Sequence, residues 1–169
     1  MPTVTPSPAA SEPFYKPESY DPDTSVGHLM KTLLAYLSQE IERELEPSGL
    51  TNAQWKPLFT LALGRASTVA EVARSCQLDA GGTTRLLDRL ESKGLCKRLR
   101  SLDDRRVVNV ELTDAGREAA KAVPVALSRV QNAHLAGFSI EEVKLFTSFL
   151  RRMQDNANAI QAQGKNHVD

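Results

Sequence analysis

Two cysteines, one tryptophan and three histidines are all that this 169-residue chain offers to redox, stacking and metal chemistry. Cys76 and Cys96 are too few for a disulfide framework, so a reducing compartment, the cytoplasm, is expected. His28, His134 and His167 lie far apart and lack metal-ligand spacing, so no metal site is expected. Apolar runs stop well short of the ~18 residues that cross a bilayer. The N-terminus has no basic stretch followed by an apolar core, so no secretory leader is expected. No Walker-type loop, nucleophile elbow or pair of carboxylates on a plausible scaffold is found, and Gly81 and Gly82 lack the spacing of a nucleotide loop. The chain therefore reads as neither an enzyme nor the holder of a cofactor.

Net charge is missing as well, because 21 basic residues balance 21 acidic ones. That balance is an average. From Arg74 to Arg106 there are nine basic residues and five acidic ones, and the rest of the chain carries the matching acidic excess. A neutral molecule with so segregated a field can still steer a polyanion onto one face. A solvated basic surface is the plainer alternative, and charge alone does not separate the two.

What is present is an apolar share of 41%, enough for a core, at a length that suits one domain with an added oligomerisation element. Residues 1–24 hold six of the nine prolines and read as a disordered arm, on which Phe14, Tyr15 and Tyr20 either decorate a tail or dock locally. Val26, Leu29, Met30, Leu33, Leu34, Leu37, Ile41 and Leu45 advance by threes and fours, which predicts a helix over 25–46 that ends at Pro47 and Gly49. A second helix begins at the capping box "TNAQ", with Trp55, Leu58, Phe59 and Ala62 inward and a kink at Pro57. "TVAE" at 68–71 opens a short third helix to about Ser75. After Gln77 and Leu78, Asp79 caps a fourth, with Thr83, Leu86 or Leu87, and Leu90 inward and Gly94 as its stop.

Strands are expected near 95–100 and 107–112, joined by "SLDDRR"; Val108, Val110 and Leu112 alternate with Asn109 and Glu111. Thr113 opens a long helix, bent at Pro124, to about Gly137. "SIEE" at 139–142 opens the last helix, with Ile140, Val143, Phe146, Leu150, Met153, Ala157 and Ile160 on one face and fraying after Gln161. The fold class is thus mainly α with a small β-hairpin wing: a winged helix-turn-helix at 51–112, a helical dimerisation region at 25–50 and 113–163, and a frayed tail at 164–169.

In such a unit the second helix of the pair enters a DNA major groove and the hairpin reaches the neighbouring backbone or minor groove. Two glycines at a helix start sacrifice helix propensity, and close approach of bare backbone N–H groups to a phosphate would account for them. Opposite the inward face lie Gly81, Thr84, Arg85 and Asp88. Thr84 can reach a base edge or a thymine methyl, and Arg85 a guanine or a phosphate. Arg89 reads instead as a structural ion pair with Asp88 or Glu91. Lys97, Arg98 and Arg100 are phosphate contacts or solvated charges, and Arg105 and Arg106 sit at a hairpin tip that packing cannot use.

The stretch "TRLLDRLESKGLCKR…DDRRVVNVELTDAG" resembles the recognition helix, wing and following helix of the MarR family of bacterial transcription factors, and the likeness extends over about residues 25–160. It implies a regulator, most often a repressor, that binds a double-stranded, pseudo-palindromic DNA operator as a homodimer, with half-sites about 10 bp apart. Within it, Asp104 would orient Arg106 into the minor groove, and Gly81, Gly82, Thr84, Arg85, Arg98 and Arg105 would complete the DNA surface. The resemblance also implies release by a small aromatic or phenolic effector bound between the dimer helices and the winged-helix core. His28, Trp55, Lys56 and Phe59 are the candidate lining; the plain alternative makes Trp55 and Phe59 core and His28 a surface histidine. The family's peroxide-sensing branch carries its reactive cysteine in the first helix, which has none here, so neither cysteine is expected to act as a redox switch. A winged helix used only for protein contacts is the rival reading.

Overall fold

Ser25 sets the start of the first helix: its hydroxyl accepts the His28 N–H at 3.2 Å, and α1 runs Val26–Leu45 in the computed structural model, which describes residues 13–165. A 3-10 turn through Pro47 follows, and Gly49 takes the left-handed conformation (φ +69°) that reverses the chain. The Thr51 N–H donates to Gln54 Oε1 at 3.2 Å at the head of α2 (Asn52–Ala62). This helix continues through Pro57, which is buried.

The capping box at Thr68 and Glu71 is complete, and α3 spans Val69–Cys76. Gln77 closes it at φ +56°, a left-handed conformation held here by a residue other than glycine. Asp79 then caps α4 (Ala80–Ser92). The hairpin is β1 (Cys96–Arg100) against β2 (Val108–Leu112), antiparallel, with Cys96 opposite Leu112 and Arg100 opposite Val108. Its outer edge is also used: the Val110 N–H donates to the Ser67 carbonyl at 2.8 Å and Thr68 bridges Asn109. That pairing ties the wing to the head of α3 and explains why Asn109, expected to face outward, is half-buried.

The two remaining helices are α5 (Asp114–His134) and α6 (Ile140–Lys165). Leu45, Leu58, Val72, Leu87, Leu90, Cys96, Val110, Val123 and Val130 form one buried cluster joining α1, the winged unit and α5. Full burial of each such side chain stabilises by about 1.5–3 kcal/mol. Leu86 and Leu87 are both buried, so the inner face of α4 is wider than one heptad stripe. α6 shares little contact with the rest of the described chain.

Three boundaries differ from expectation. α5 stops at His134 rather than Gly137, which lies in the turn at φ +88°. α6 remains helical to Lys165, past the expected fraying point; 166–169 lie outside the described residues. Of the arm expected to be disordered, 1–12 lie outside the described residues, while 13–24 are exposed throughout yet reach the first turn of α1 through Tyr15. Tyr15 and Tyr20 meet edge-on at 5.6 Å, and the Tyr15 hydroxyl accepts the Val26 N–H at 2.9 Å. A first-turn amide has no partner within its own helix, and the phenol supplies one.

Candidate nucleic-acid interface

The first turn of α4 is built around Asp79. Its carboxylate accepts the Gly82 N–H at 2.6 Å, and its carbonyl accepts the Thr83 N–H and hydroxyl at 2.9 and 2.8 Å. This corrects one expectation: the Gly82 amide is not bare, because the cap occupies it. The amide still open to a phosphate is that of Gly81, which is exposed. Thr83 is fully buried, while Thr84 and Arg85 face outward. The Thr84 hydroxyl donates to the Ala80 carbonyl at 2.9 Å, which leaves its lone pairs and methyl group free for a base edge.

At the wing, Asp104 holds Arg106. One carboxylate oxygen accepts the Arg106 backbone N–H at 2.9 Å and its Nε at 3.1 Å; the other accepts Nη2 at 3.1 Å. These bonds, the side-chain ones first, keep the Asp104 carboxyl below its ordinary range, so it stays charged. Arg106 is aimed yet almost fully solvent-exposed. Arg105 beside it is exposed and has no ion-pair partner among the described residues. Thr84 and Arg106 line one cleft of about 450 Å³ with Ala80 and Val108, so recognition-helix start and wing form a continuous surface.

Arg98 departs from its expected role. Its Nη2 donates to Asp88 and Glu91 at 2.6 Å each, and its Nε and backbone N–H donate to Glu91 at 3.0 and 2.9 Å. Glu91 is held below its usual range by the backbone and side-chain donors of Arg98. Arg98 therefore joins β1 to α4 and neutralises two acids beside the recognition face, the task sequence spacing had given to Arg89. A strand residue opposite a helix is invisible to i, i+4 reasoning.

Two further residues escaped the sequence reading. Lys93 Nζ donates to the Gly49 carbonyl at 2.7 Å and Gln54 Oε1 at 2.9 Å, anchoring the end of α4 to the α1–α2 junction. Gly116 in the first turn of α5 lies so close to the Leu95 backbone that a Cβ would stand 1.9 Å from its carbonyl oxygen. Gly116 appears in "LTDAG", but only the fold reveals what it faces.

The candidate effector residues are not gathered. His28 is exposed on α1, with its Nε2 3.4 Å from the Thr32 hydroxyl. Trp55 and Phe59 are half-buried against the core, and Trp55 Nε1 donates to Asn52 Oδ1 at 3.0 Å. Lys56 lines a different place, a cleft of about 300 Å³ shared with Cys76, Gly82, Arg85 and Arg89. Cys96 is buried, and burial, then the Glu91 charge, raise its thiol to about 11, too high for a ready thiolate. Among the described residues, no group of His, Cys, Asp and Glu could hold a metal ion, and no helix is long and apolar enough to cross a membrane.

The sequence model of the MarR family matches residues 50–108, the winged unit with the aimed arginine. The HTH-type transcriptional regulator YdgJ of Bacillus subtilis (strain 168) is 32% identical over 115 residues, 68% of this chain and 70% of that protein. A mutant MarR from E. coli, solved in complex with operator DNA, is 26% identical with a TM-score of 0.69, covering 75% of this chain and 91% of that one. Bordetella bronchiseptica BpsR, from a study of its regulation by 6-hydroxynicotinic acid, is 24% identical with a TM-score of 0.72, over 80% and 97% of the two chains. With the hairpin, the capped recognition helix and these likenesses together, the chain belongs to the MarR family and is a winged-helix, DNA-binding transcriptional regulator rather than an enzyme.

Proposed function

We propose that this regulator is a repressor that binds a pseudo-palindromic operator as a homodimer, with α4 in the major groove and Arg106 in the adjacent minor groove. The observation that carries the reading is the aimed, solvent-exposed Arg106 sharing a cleft with Thr84 at the start of α4. Gly81, Arg85 and Arg105 complete the contact surface; Gly82 shapes it, and Arg98 supports it from behind. Dimerisation through 25–50 and 113–163 is supported by apolar side chains left open to solvent: Leu29, Leu33 and Leu34 on α1, and Phe146, Phe149 and Met153 on α6. A two-fold pairing of those faces buries them and sets two recognition helices on one side.

Release by a small aromatic or phenolic anion is the second part of the proposal. BpsR, which shares the fold, is regulated in DNA binding by 6-hydroxynicotinic acid. Here the half-buried rings of Trp55 and Phe59, packed against the core cluster, offer an apolar wall. The cleft holding Lys56, Arg85 and Arg89 has three cations and no carboxylate in its lining, and it suits an anion that competes with DNA directly.

The experiment is selection of a duplex from a random-sequence pool, followed by footprinting and sedimentation. Protection of two half-sites about 10 bp apart by a dimer is expected; a stable micromolar monomer, or no selected sequence, overturns the reading. A thermal-shift panel of phenolic and aromatic acids, with and without that duplex, tests the effector. Ligand and duplex must weaken each other by one factor.

A further inference from the structure

Among the large hydrophobic side chains that the structure leaves open to solvent, Leu102 is the most exposed, at 100%. It stands in the wing loop, between Ser101 and Asp103, and apart from Val107 at the start of the return strand the rest of that loop is polar or charged. The loop is organised. The Ser101 hydroxyl accepts the Asp103 and Asp104 N–H groups at 3.3 Å each, the Val107 N–H donates to the Asp104 carbonyl at 2.9 Å, and the Ser101 N–H donates to the Val107 carbonyl at 3.0 Å. Leu102 is thus held outward on a preformed turn, and it contributes nothing to the core of this chain.

We propose that Leu102 is an apolar wedge that enters the DNA minor groove beside Arg106 and determines part of the sequence preference. The inference rests on the wing reading given above. A minor groove accepts two kinds of side chain for different reasons: cations follow its negative potential, and apolar groups press on sugars or between base steps. The wing loop presents both, four residues apart, in two adjoining hydrogen-bonded bends. Ordering of the loop precedes binding, so little contact energy is lost to fixing it. Wedging favours steps that unstack easily, the pyrimidine–purine steps TA and CA, over stiff A-tracts. Leu102 would therefore add a preference for a flexible step under the wing, at a position where no hydrogen bond reads a base.

The two side chains leave different signatures. An apolar contact releases no counterion, whereas an arginine at a phosphate-lined groove does. With a duplex selected by the wild-type protein from a random pool, Leu102→Ala and Leu102→Ser should bind about tenfold more weakly, with an unchanged slope of log affinity against log salt. Arg106→Ala should weaken binding and flatten that slope. Melting temperature should not move for the Leu102 variants, since the side chain touches nothing in the free protein. Replacing a TA step under the wing by AA should weaken the wild type more than Leu102→Ala. If Arg106→Ala loses affinity while both Leu102 variants bind as the wild type, the wedge is overturned and the wing reading stands. If Arg106→Ala also binds normally, the wing does not reach DNA and both fall.

Discussion

Replacing Arg98 by alanine removes three side-chain hydrogen bonds to Asp88 and Glu91 and leaves two carboxylates facing each other beside the recognition helix. In a shielded setting each charge-assisted bond would be worth about 1.5–3 kcal/mol. Here the Arg98 side chain is 28% exposed and its partners 53% and 36%, so water and salt screen much of that. Roughly 1–2 kcal/mol of stability should be lost, lowering the melting temperature by about 2–8 °C for a chain of this size. Arg98→Lys keeps the charge without the planar fork and should fall between the two.

Operator affinity should drop too, because Asp88 and Glu91 are no longer neutralised near the incoming phosphates. The triple variant Arg98→Ala, Asp88→Asn, Glu91→Gln separates the causes. If Arg98 acts by cancelling those acids, the triple variant regains most of the affinity in a mobility-shift titration on the selected duplex. If Arg98 touches phosphate directly, the loss persists and the salt slope falls by about one per protomer, about two for the dimer. A single variant as stable as the wild type, or a triple variant that binds no better than the single, refutes the support role.

Gly116→Ala places a methyl group 1.9 Å from the Leu95 carbonyl oxygen, against backbone that cannot rotate away. It should cost about 2–4 kcal/mol in a urea melt, and a near-neutral result would mean that the joint between wing and α5 is looser than described. In acid the capping and inter-element carboxylates matter. Glu71 is held below its ordinary range by the Ser67 backbone and hydroxyl donors, then the Thr68 backbone, and Glu91 by Arg98. A depressed folded pKa stabilises above the unfolded value and is lost as pH falls through the folded one, so melting temperature should decline from about pH 5 downward. Glu71→Gln should be less stable at pH 7 but decline less; an unchanged acid slope would remove Glu71 from the account.

The element order and the capped helix starts were legible because each has a local cause. "TNAQ", "TVAE" and "SIEE" name their own N-caps, and Gly49 and Gly94 stand where positive φ is needed. The Asp104–Arg106 pair was legible for the same reason, two residues apart on one turn. Arg98, Lys93 and Gly116 were not, since each acts on a partner in another element: Glu91 seven residues back, Gly49 forty-four back, and Leu95 across the hairpin. Basic residues counted together in sequence thus divide into supports and an outward surface only when the chain is folded. The effector residues are a different case. His28, Trp55, Lys56 and Phe59 were joined by residue type and helix spacing; in the described chain Trp55 and Phe59 share one core cluster, while His28 and Lys56 face other surroundings.

Gly81 offers a test in which stability and function should move in opposite directions. A Cβ built there would lie 3.5 Å from both the Asp79 carboxylate and Arg85 Nη1, ordinary contact distances, so the free fold has room for alanine. Alanine removes the extra backbone entropy of glycine, and Gly81→Ala should stabilise by up to about 0.5–1 kcal/mol. If glycine stands there so that a phosphate can approach the Gly81 amide, the same methyl group blocks that approach. Loss of one such charge-assisted contact would weaken duplex binding by about tenfold. Gly82→Ala is the internal contrast: its Cβ would lie a tighter 3.3 Å from Asp79, and its N–H is already taken by the cap. That variant should gain little stability and lose less affinity. Urea melts and mobility shifts on both variants decide the matter, and a Gly81→Ala protein that is more stable and binds as tightly as the wild type would show that phosphate approach is not why glycine is there.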